Sequence, residues 1–207
     1  MRRLHQTRSR SSSTSDDSTT LYREGRLVMI RFVTGNENKV TEVSEHLDVP
    51  VEQFDYDYVE IQADDITSVA RVGAAESYDA LGDGDAVIVE DSGLFVHALG
   101  GFPGPYSAYV EETIGVEAVA QLTADHPDRT AHFESVVAYA DGNRIKTFSG
   151  RVDGLIVPPR GDGGFGYDPI FEVDGQTLAE RTTEEKNELS HRGQAVERFA
   201  QWYRTQS

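Results

Sequence analysis

The chain contains 207 residues, with 19 Lys and Arg against 36 Asp and Glu, and its formal net charge at pH 7 is −17. Such an acidic surface repels polyanions, so we expect no nucleic-acid partner. The absence of cysteine excludes disulfide scaffolds, thiolate zinc sites and cysteine nucleophiles. No apolar run approaches the ~18 residues of a membrane-spanning helix, and the N-terminus lacks the apolar region of a secretory signal. We therefore expect a cytoplasmic protein with no membrane partner.

Lysine is scarce, and occurs only at positions 39, 146 and 186. An acidic excess with few lysines suits a protein dissolved in concentrated salt, where screening removes the self-repulsion. We predict a halophilic protein, with an ordinary acidic protein as the alternative.

Residues 1–27 are predicted to form a disordered extension. Residues 9–20 are mostly serine and threonine, interrupted by arginine and aspartate, and a segment of this kind cannot bury a core. Residues 28–207 are long enough for one domain with a core of its own.

In chain order, the first half of this domain is predicted to alternate strands and helices. The periodicity of apolar residues predicts strands at 29–34, 51–61 and 86–89, and helices at 38–47 and 64–81. A Gly/Pro loop at 99–105 precedes a predicted helix at 113–125. Two long strands, 130–140 and 144–157, are predicted to join at an Asp141-Gly142 turn, followed by a loop at 161–166 and a final helix at 184–204. This order predicts an α/β fold with a mixed sheet.

The first predicted strand leads into Thr34, Gly35 and Asn36 and then into a helix. A glycine lets the backbone approach an anion, and the N–H groups that open a helix point towards it. Lys39 follows one turn later, where its ammonium can reach the same oxygens. The pattern is typical of a phosphate site, although most strand–glycine–helix turns in α/β domains bind nothing.

The segment Glu90-Asp91-Ser92-Gly93 places two carboxylates at the predicted end of a central strand, where ligands lie in open α/β sheets. Side chains alternate along a strand, so both carboxylates face one way only if the chain turns, and Ser92-Gly93 is predicted to supply the turn. A carboxylate there can hold Mg²⁺ or activate a water molecule. The alternative is a helix cap or a solvated strand end. Glu60 is a second candidate magnesium ligand.

Residues 161–166 match the spacing GxGxxG, but Pro169 follows too closely for a regular helix, so we reject a dinucleotide site. The loop instead presents Phe165, Gly166, Tyr167 and Asp168, in which an aromatic ring can stack on a base while a carboxylate beside it reads the base edge. The alternative is a glycine-rich turn with Phe165 in the core.

The final predicted helix carries further polar candidates. Lys186 and Ser190 are predicted to share one helical face, with His191 and Arg192 on adjacent faces. A histidine–arginine pair can donate hydrogen bonds to a carbonyl or a phosphate, and the alternative is a solvated helix surface. The other histidines show no zinc-binding spacing, and neither a GxSxG elbow nor a P-loop motif occurs.

A resemblance rests on five segments taken together: Thr34-Gly35-Asn36 with Lys39, residues 90–94, 101–107 and 164–169, and Lys186 with Ser190-His191-Arg192. Their order and spacing across residues 29–204 strongly resemble the inosine triphosphate pyrophosphatases, also called XTP/dITP diphosphatases, in an archaeal form. The resemblance implies an elongated mixed β-sheet flanked by helices, two lobes with a central nucleotide cleft, and a homodimer. It also implies Mg²⁺-dependent hydrolysis of ITP, dITP and XTP to the monophosphate and pyrophosphate.

The resemblance further implies a role for each matched residue. Asp91 is expected to be the general base and, with Glu60, to face the magnesium ion, while Glu90 assists the metal and Ser92 contacts the substrate. The triphosphate is expected at Thr34, Gly35, Asn36, Glu37, Asn38 and Lys39. The base and sugar are expected at Phe165, Gly166, Tyr167, Asp168, Lys186, His191 and Arg192.

Two other interpretations stay open. One is a pyrophosphatase of similar fold that acts on other modified nucleotides, which a substrate panel would separate. The other is a nucleotide-binding regulator without catalysis, which would not need Asp91 and Glu60.

Overall fold

The computed structural model describes residues 22–23, 26–27 and 29–206, with the side chains from Met29 onwards except that of Asn38. Strands β1 (Tyr22–Arg23) and β2 (Arg26–Leu27) pair in antiparallel fashion. The rest of the predicted disordered extension lies outside the described residues, so its disorder stays a prediction.

Eight further strands form one mixed sheet. They are β3 (Ile30–Val33), β4 (Val51–Phe54), β5 (Ala86–Val96), β6 (Pro103–Gly104), β7 (Thr130–Ala140), β8 (Ile145–Ile156), β9 (Phe171–Val173) and β10 (Gln176–Thr177). The strand order is β10-β9-β8-β7-β5-β3-β4, with β6 paired to β5. Strand β3 lies parallel to β4 and β5, and the other pairs are antiparallel. The predicted α/β fold with a mixed sheet is confirmed.

Six α-helices accompany this sheet in the described part of the chain. They are α1 (Glu37–Ser44), α2 (Ile66–Leu81), α3 (Ser107–Ile114), α4 (Val116–Thr123), α5 (Thr183–Glu188) and α6 (His191–Arg204). None of them combines the length and the apolar character that crossing a bilayer requires.

Two helices cover opposite faces of the central strand β5. Ile88 packs in a cluster with Phe199 of α6, and Val87 and Val89 pack in another cluster with Ala70 of α2. A strand covered on both faces is apolar at every position, as β5 is from Val87 to Val89. The helices thus define an α6 face and an α2 face of the sheet.

A third cluster lies beyond these two helices, where the far ends of β5, β7 and β8 meet α3 and α4. It contains Leu94, Val110, Val119 and Ile156. The long strands therefore run through two lobes, each with its own apolar core.

Strand β5 is much longer than the predicted strand at 86–89. It continues through residues 90–93 with unbroken pairing to β7, so the predicted turn at Ser92-Gly93 is wrong. The alternation of side chains is therefore preserved, and Glu90 and Asp91 face opposite sides of the sheet. Gly93 is required for another reason, since a Cβ there would collide with the backbone oxygen of Gly104 on β6.

Two predicted helices are each divided in the structure. The region of the predicted helix 113–125 contains α3 and α4, separated at Gly115, whose φ of +80° favours glycine. The predicted helix 184–204 is divided into α5 and α6 at Ser190, whose Oγ caps α6 by accepting a hydrogen bond of 2.9 Å from Gly193 N. The predicted single helix through Lys186 and Ser190 is therefore wrong, although both residues line the same cavity.

The predicted strand 51–61 ends early, at Phe54. Residues 55–63 have no regular secondary structure, because Tyr56 and Tyr58 pack with the α2 cluster instead of pairing with a strand. Helix α2 begins at Ile66, and Asp65 caps it by accepting a hydrogen bond of 2.8 Å from Ser68 N, an interaction that typically contributes about 1 kcal/mol.

Candidate active site

The predicted phosphate turn lies where the parallel strands end. Val33, the last residue of β3, pairs with Phe54 on one side and with Val89 on the other, so Thr34 emerges beside Glu90. Thr34 Oγ1 accepts a hydrogen bond of 3.1 Å from Asn36 N, and the Thr34 carbonyl accepts one of 2.7 Å from Gln53 Nε2. Gly35, Asn36 and Glu37 are exposed. The turn is thus fixed from inside while its outer surface stays open to a ligand.

Glu90 lies on the α6 face and contacts two cationic side chains. Its Oε2 accepts a hydrogen bond of 2.8 Å from Lys39 Nζ and lies 3.2 Å from Arg192 Nε, and its Oε1 accepts one of 2.7 Å from Ser135 Oγ. The glutamate side chain is 1% exposed. Burial alone would raise the pKa of Glu90, but the charges of Arg192 and Lys39 and the hydrogen bonds outweigh it and lower the pKa to about 2.

Arg192 keeps hydrogen-bonding capacity despite this ion pair. Its Nε is buried and forms no hydrogen bond with any part of the chain that the structure describes. A buried N–H group beside a cavity that makes no hydrogen bond is favourable for an anionic or carbonyl oxygen of a ligand.

Asp91 lies on the opposite, α2 face, close to Tyr58 and Glu60. Burial, followed by repulsion from Glu60 and Glu90, raises the pKa of Asp91 to about 7. One of its oxygens accepts a hydrogen bond of 2.9 Å from Ser92 N. A carboxyl group that exchanges its proton near neutral pH suits general-base catalysis.

A cavity of about 310 Å³ opens between the two lobes on the α6 face. Eight of the predicted substrate-binding residues line it together: Ser92, Phe165, Gly166, Tyr167, Asp168, Lys186, His191 and Arg192. Thr34, Gly35, Asn36, Glu37 and Lys39 do not line it, and the side chain of Asn38 lies outside the described residues. Lys39 is joined to the cavity through Glu90 and Arg192. The segments singled out in the sequence therefore meet at one place, except that Asp91 and Glu60 lie across the strand.

The aromatic loop is held at the mouth of the cavity by Asp168. The Asp168 carboxylate accepts hydrogen bonds from Phe165 N at 3.0 Å and from Lys186 Nζ, and the Lys186 ammonium lies 4.9 Å from the centre of the Phe165 ring. Gly164 has a φ of +78°, and a Cβ there would collide with the Asp168 side chain. Phe165 is 75% exposed, so the alternative of a core phenylalanine is wrong.

His191 forms part of the cavity wall as the first residue of α6. Its ring stacks on Phe133, with the ring centres 5.1 Å apart and an interplanar angle of 11°. Burial and the nearby charge of Arg192 lower the pKa of His191 to about 4, so the ring is neutral at pH 7. A neutral imidazole donates one hydrogen bond and accepts one.

Residues 30–202 match the sequence profile of the Ham1 family. The chain belongs to the Ham1 family. It is 48% identical over 182 residues to a dITP/XTP pyrophosphatase of Methanopyrus kandleri, covering 84% of this chain and 96% of that protein. It is 50% identical to the dITP/XTP pyrophosphatase of Thermococcus kodakarensis, with the same coverage. The solved structure of the Staphylococcus aureus Ham1 protein, 29% identical, matches with a TM-score of 0.79 over 86% of this chain and 100% of that chain.

Three side chains of this Ham1 site were missed in the sequence. Phe133 and Ser135 lie on β7 and belong to no motif, so only strand pairing brings them to His191 and Glu90. Glu111 of α3 lines the same cavity, and helical periodicity alone marks it as surface.

The carboxylates of Asp91 and Glu60 suit a magnesium ion. Mg²⁺ takes hard oxygen ligands and is usually held by one or two carboxylates together with substrate phosphates, and the repulsion between these two groups is what a cation would relieve. Among the residues that the structure describes, no group of three or more His, Asp or Glu side chains could hold a metal. Glu90, which was expected to assist the metal, faces the other side of β5 and pairs with Lys39 and Arg192.

Proposed function

We propose that this Ham1 protein hydrolyses ITP, dITP and XTP to the nucleoside monophosphate and pyrophosphate. One observation carries the proposal: an aromatic, hydrogen-bonding cavity for a base, lined by Arg192, lies beside a cationic side chain, Lys39, that suits a triphosphate. The relatives from Methanopyrus kandleri and Thermococcus kodakarensis are named for dITP and XTP, which supports the same substrate class here.

The triphosphate binds at the turn of Thr34, Gly35 and Asn36. Backbone N–H groups at the start of α1 and the Lys39 ammonium neutralise its charge. Lys39 exchanges its partner Glu90 for phosphate oxygens. Positioning and charge neutralisation make up most of catalysis in phosphoryl transfer, so this set of groups is sufficient for binding.

The base enters the cavity and stacks on the exposed Phe165 ring. Lys186, Arg192 and the neutral His191 supply donors to the 6-oxo group that ITP, dITP and XTP share. An adenine would place a 6-amino group against these donors and leave them unpaired in a buried site, which costs about 1–3 kcal/mol for each donor. The site therefore discriminates against ATP.

Asp91 accepts the proton of the attacking water. The water oxygen bonds to the α-phosphorus, the bond between that phosphorus and the oxygen bridging to the β-phosphate breaks, and pyrophosphate leaves with that oxygen. Asp91 and Glu60 would hold Mg²⁺, which stabilises negative charge on the phosphate oxygens. The side chains of this chain thus supply the general base, the cationic groups and the surface that binds the purine.

A panel of triphosphates tests the proposal. With Mg²⁺, kcat/KM for pyrophosphate release is expected to be at least about 100-fold higher for ITP, dITP and XTP than for ATP and CTP, whose bases carry an amino group in place of the oxo group. A preference for a modified pyrimidine triphosphate would indicate the related pyrophosphatase, and binding without turnover of any substrate would indicate the regulator.

We further propose a homodimeric, halophilic enzyme of the cytoplasm. The negative charge supports the halophilic assignment, since screening in concentrated salt relieves self-repulsion. The Tm is expected to rise from low to molar KCl, and a Tm independent of KCl would reject halophily. Sedimentation in the same buffers tests the dimer.

A further inference from the structure

The segment that carries Glu60 has no regular structure of its own. Residues 55–63 connect β4 to α2 without helix or strand, and Glu60 is exposed. Glu60 also forms no hydrogen bond or ion pair with any residue in the described part of the chain. A ligand on such a segment must be placed by its neighbours, because an unrestrained loop would lose entropy on binding the ion.

Glu76 attaches this segment to α2 at two points. Its Oε1 accepts a hydrogen bond of 3.0 Å from the Tyr56 hydroxyl and one of 3.4 Å from Val59 N. Val59 directly precedes Glu60, so the second bond fixes the backbone next to the proposed ligand.

A second attachment lies one helical turn earlier. The Tyr58 ring lies against Gly73 so closely that a Cβ at Gly73 would come within 2.5 Å of the Tyr58 Cε2 atom. The same tyrosine is close enough to Asp91 and Glu60 for their charges, after burial, to raise its pKa. Gly73 and Glu76 are three residues apart and share one side of α2. That side of the helix therefore holds the segment at both attachments.

We propose that Glu76 is a positioning residue of the metal site: by binding Tyr56 and Val59, it holds Glu60 opposite Asp91. The proposal rests on the proposed function, in which Asp91 and Glu60 hold Mg²⁺. Gly73 assists by giving room to Tyr58. Groups that orient metal ligands typically change metal affinity by 10–100-fold when they are removed.

Mn²⁺ serves as a spectroscopic probe in place of Mg²⁺. The protein is titrated with Mn²⁺ by electron paramagnetic resonance, in the presence of an ITP analogue with a methylene group in place of the oxygen between the α- and β-phosphates. Glu76→Ala is expected to weaken Mn²⁺ binding by about tenfold. Glu76→Gln keeps an acceptor oxygen for both donors, and is expected to stay within about threefold of the wild type.

Asp79→Ala is the matched control. Asp79 is an exposed acid one turn further along α2 and lines a different cavity, so its loss changes the charge equally and leaves Mn²⁺ affinity unchanged. Tyr56→Phe removes a single hydroxyl and is expected to weaken Mn²⁺ binding by about threefold, which keeps the proposal testable if Glu76→Ala does not fold.

The outcomes separate this proposal from the proposed function. If Glu60→Gln weakens Mn²⁺ binding but folded Glu76→Ala does not, the positioning role is wrong and the metal site stands. If Glu76→Ala and Asp79→Ala lose the same amount of Mn²⁺ affinity, the effect comes from the lost negative charge alone, and the positioning role is wrong. Wild-type affinity in Glu60→Gln would overturn both the metal site and the role of Glu76.

Discussion

Glu90 and Asp91, neighbours in the chain, point to opposite faces of strand β5. Glu90 pairs with Lys39 and Arg192 on the α6 face, and Asp91 meets Glu60 on the α2 face. The opposite environments separate their pKa values, to about 2 for Glu90 and about 7 for Asp91. Two adjacent carboxylates thereby take different roles, one as a permanent anion and the other as a proton acceptor.

Asp91→Asn tests whether Asp91 is the general base. The amide keeps the size of the side chain but cannot accept a proton from water, so kcat for ITP is expected to fall by at least about 100-fold. Calorimetry should show that the methylene analogue of ITP still binds. Full turnover in this variant would remove Asp91 as the base.

The raised pKa of Asp91 also predicts that the effect of Asp91→Asn on the free energy of unfolding depends on pH. The pKa of Asp91 in the folded protein, about 7, lies above the ordinary 3.8, so the folded state binds this proton more tightly than the unfolded state. The contribution of Asp91 to stability therefore decreases as the pH rises from about 4 to about 7.

In metal-free buffer at pH 8, Asp91→Asn is expected to be about 2 kcal/mol more stable than the wild type, after allowance for partial exposure. The difference should shrink as the pH falls to 4, and urea unfolding at both pH values measures it. A gain of equal size at pH 8 and pH 4 would contradict the assigned pKa.

Glu90→Gln is expected to lower the free energy of unfolding by about 2 kcal/mol, because Lys39 and Arg192 lose their common counter-charge in a buried site. Glu52→Gln is the control, since Glu52 is half-exposed and its Oε2 lies 2.5 Å from Arg31. A pair of that kind contributes less than about 1 kcal/mol. Equal losses in the two variants would show that burial does not strengthen the Glu90 interactions.

Phe165→Ala tests the stacking surface. The KM for ITP is expected to rise about tenfold, since stacking on an aromatic ring contributes about 1–3 kcal/mol per base. The Tm should stay unchanged because Phe165 is 75% exposed. Tyr109→Ala removes an aromatic ring that is 68% exposed and lies outside the cavity lining, so its KM should match the wild type. If the two variants have the same KM, the ring does not bind the base.

The sequence alone was sufficient to predict the site residues that belong to short motifs. Lys39, Asp168, Lys186 and Arg192 all belong to segments whose residue types are chemically unusual in their context, and the structure brings them together. The mixed sheet was also predictable, since it follows from the alternation of apolar periods.

The remaining features depend on tertiary packing. Nothing local shows that β5 continues through Glu90 and Asp91, because the pairing partner β7 lies some 45 residues later. Residues 55–61 have the β-branched and aromatic composition of a strand, yet the packing of Tyr58 against Gly73 overrides that preference. The break between α5 and α6 at Ser190 was likewise not predictable, since the helical spacing of apolar residues continues across it.

Phosphorus NMR of ITP turnover in ¹⁸O-labelled water, with Mg²⁺ in molar KCl, shows directly which bond breaks and where water adds. We predict IMP that carries the label on its phosphate, together with unlabelled pyrophosphate, because water attacks the α-phosphorus. Inosine diphosphate with labelled orthophosphate, or ITP that remains intact, would contradict the proposed reaction.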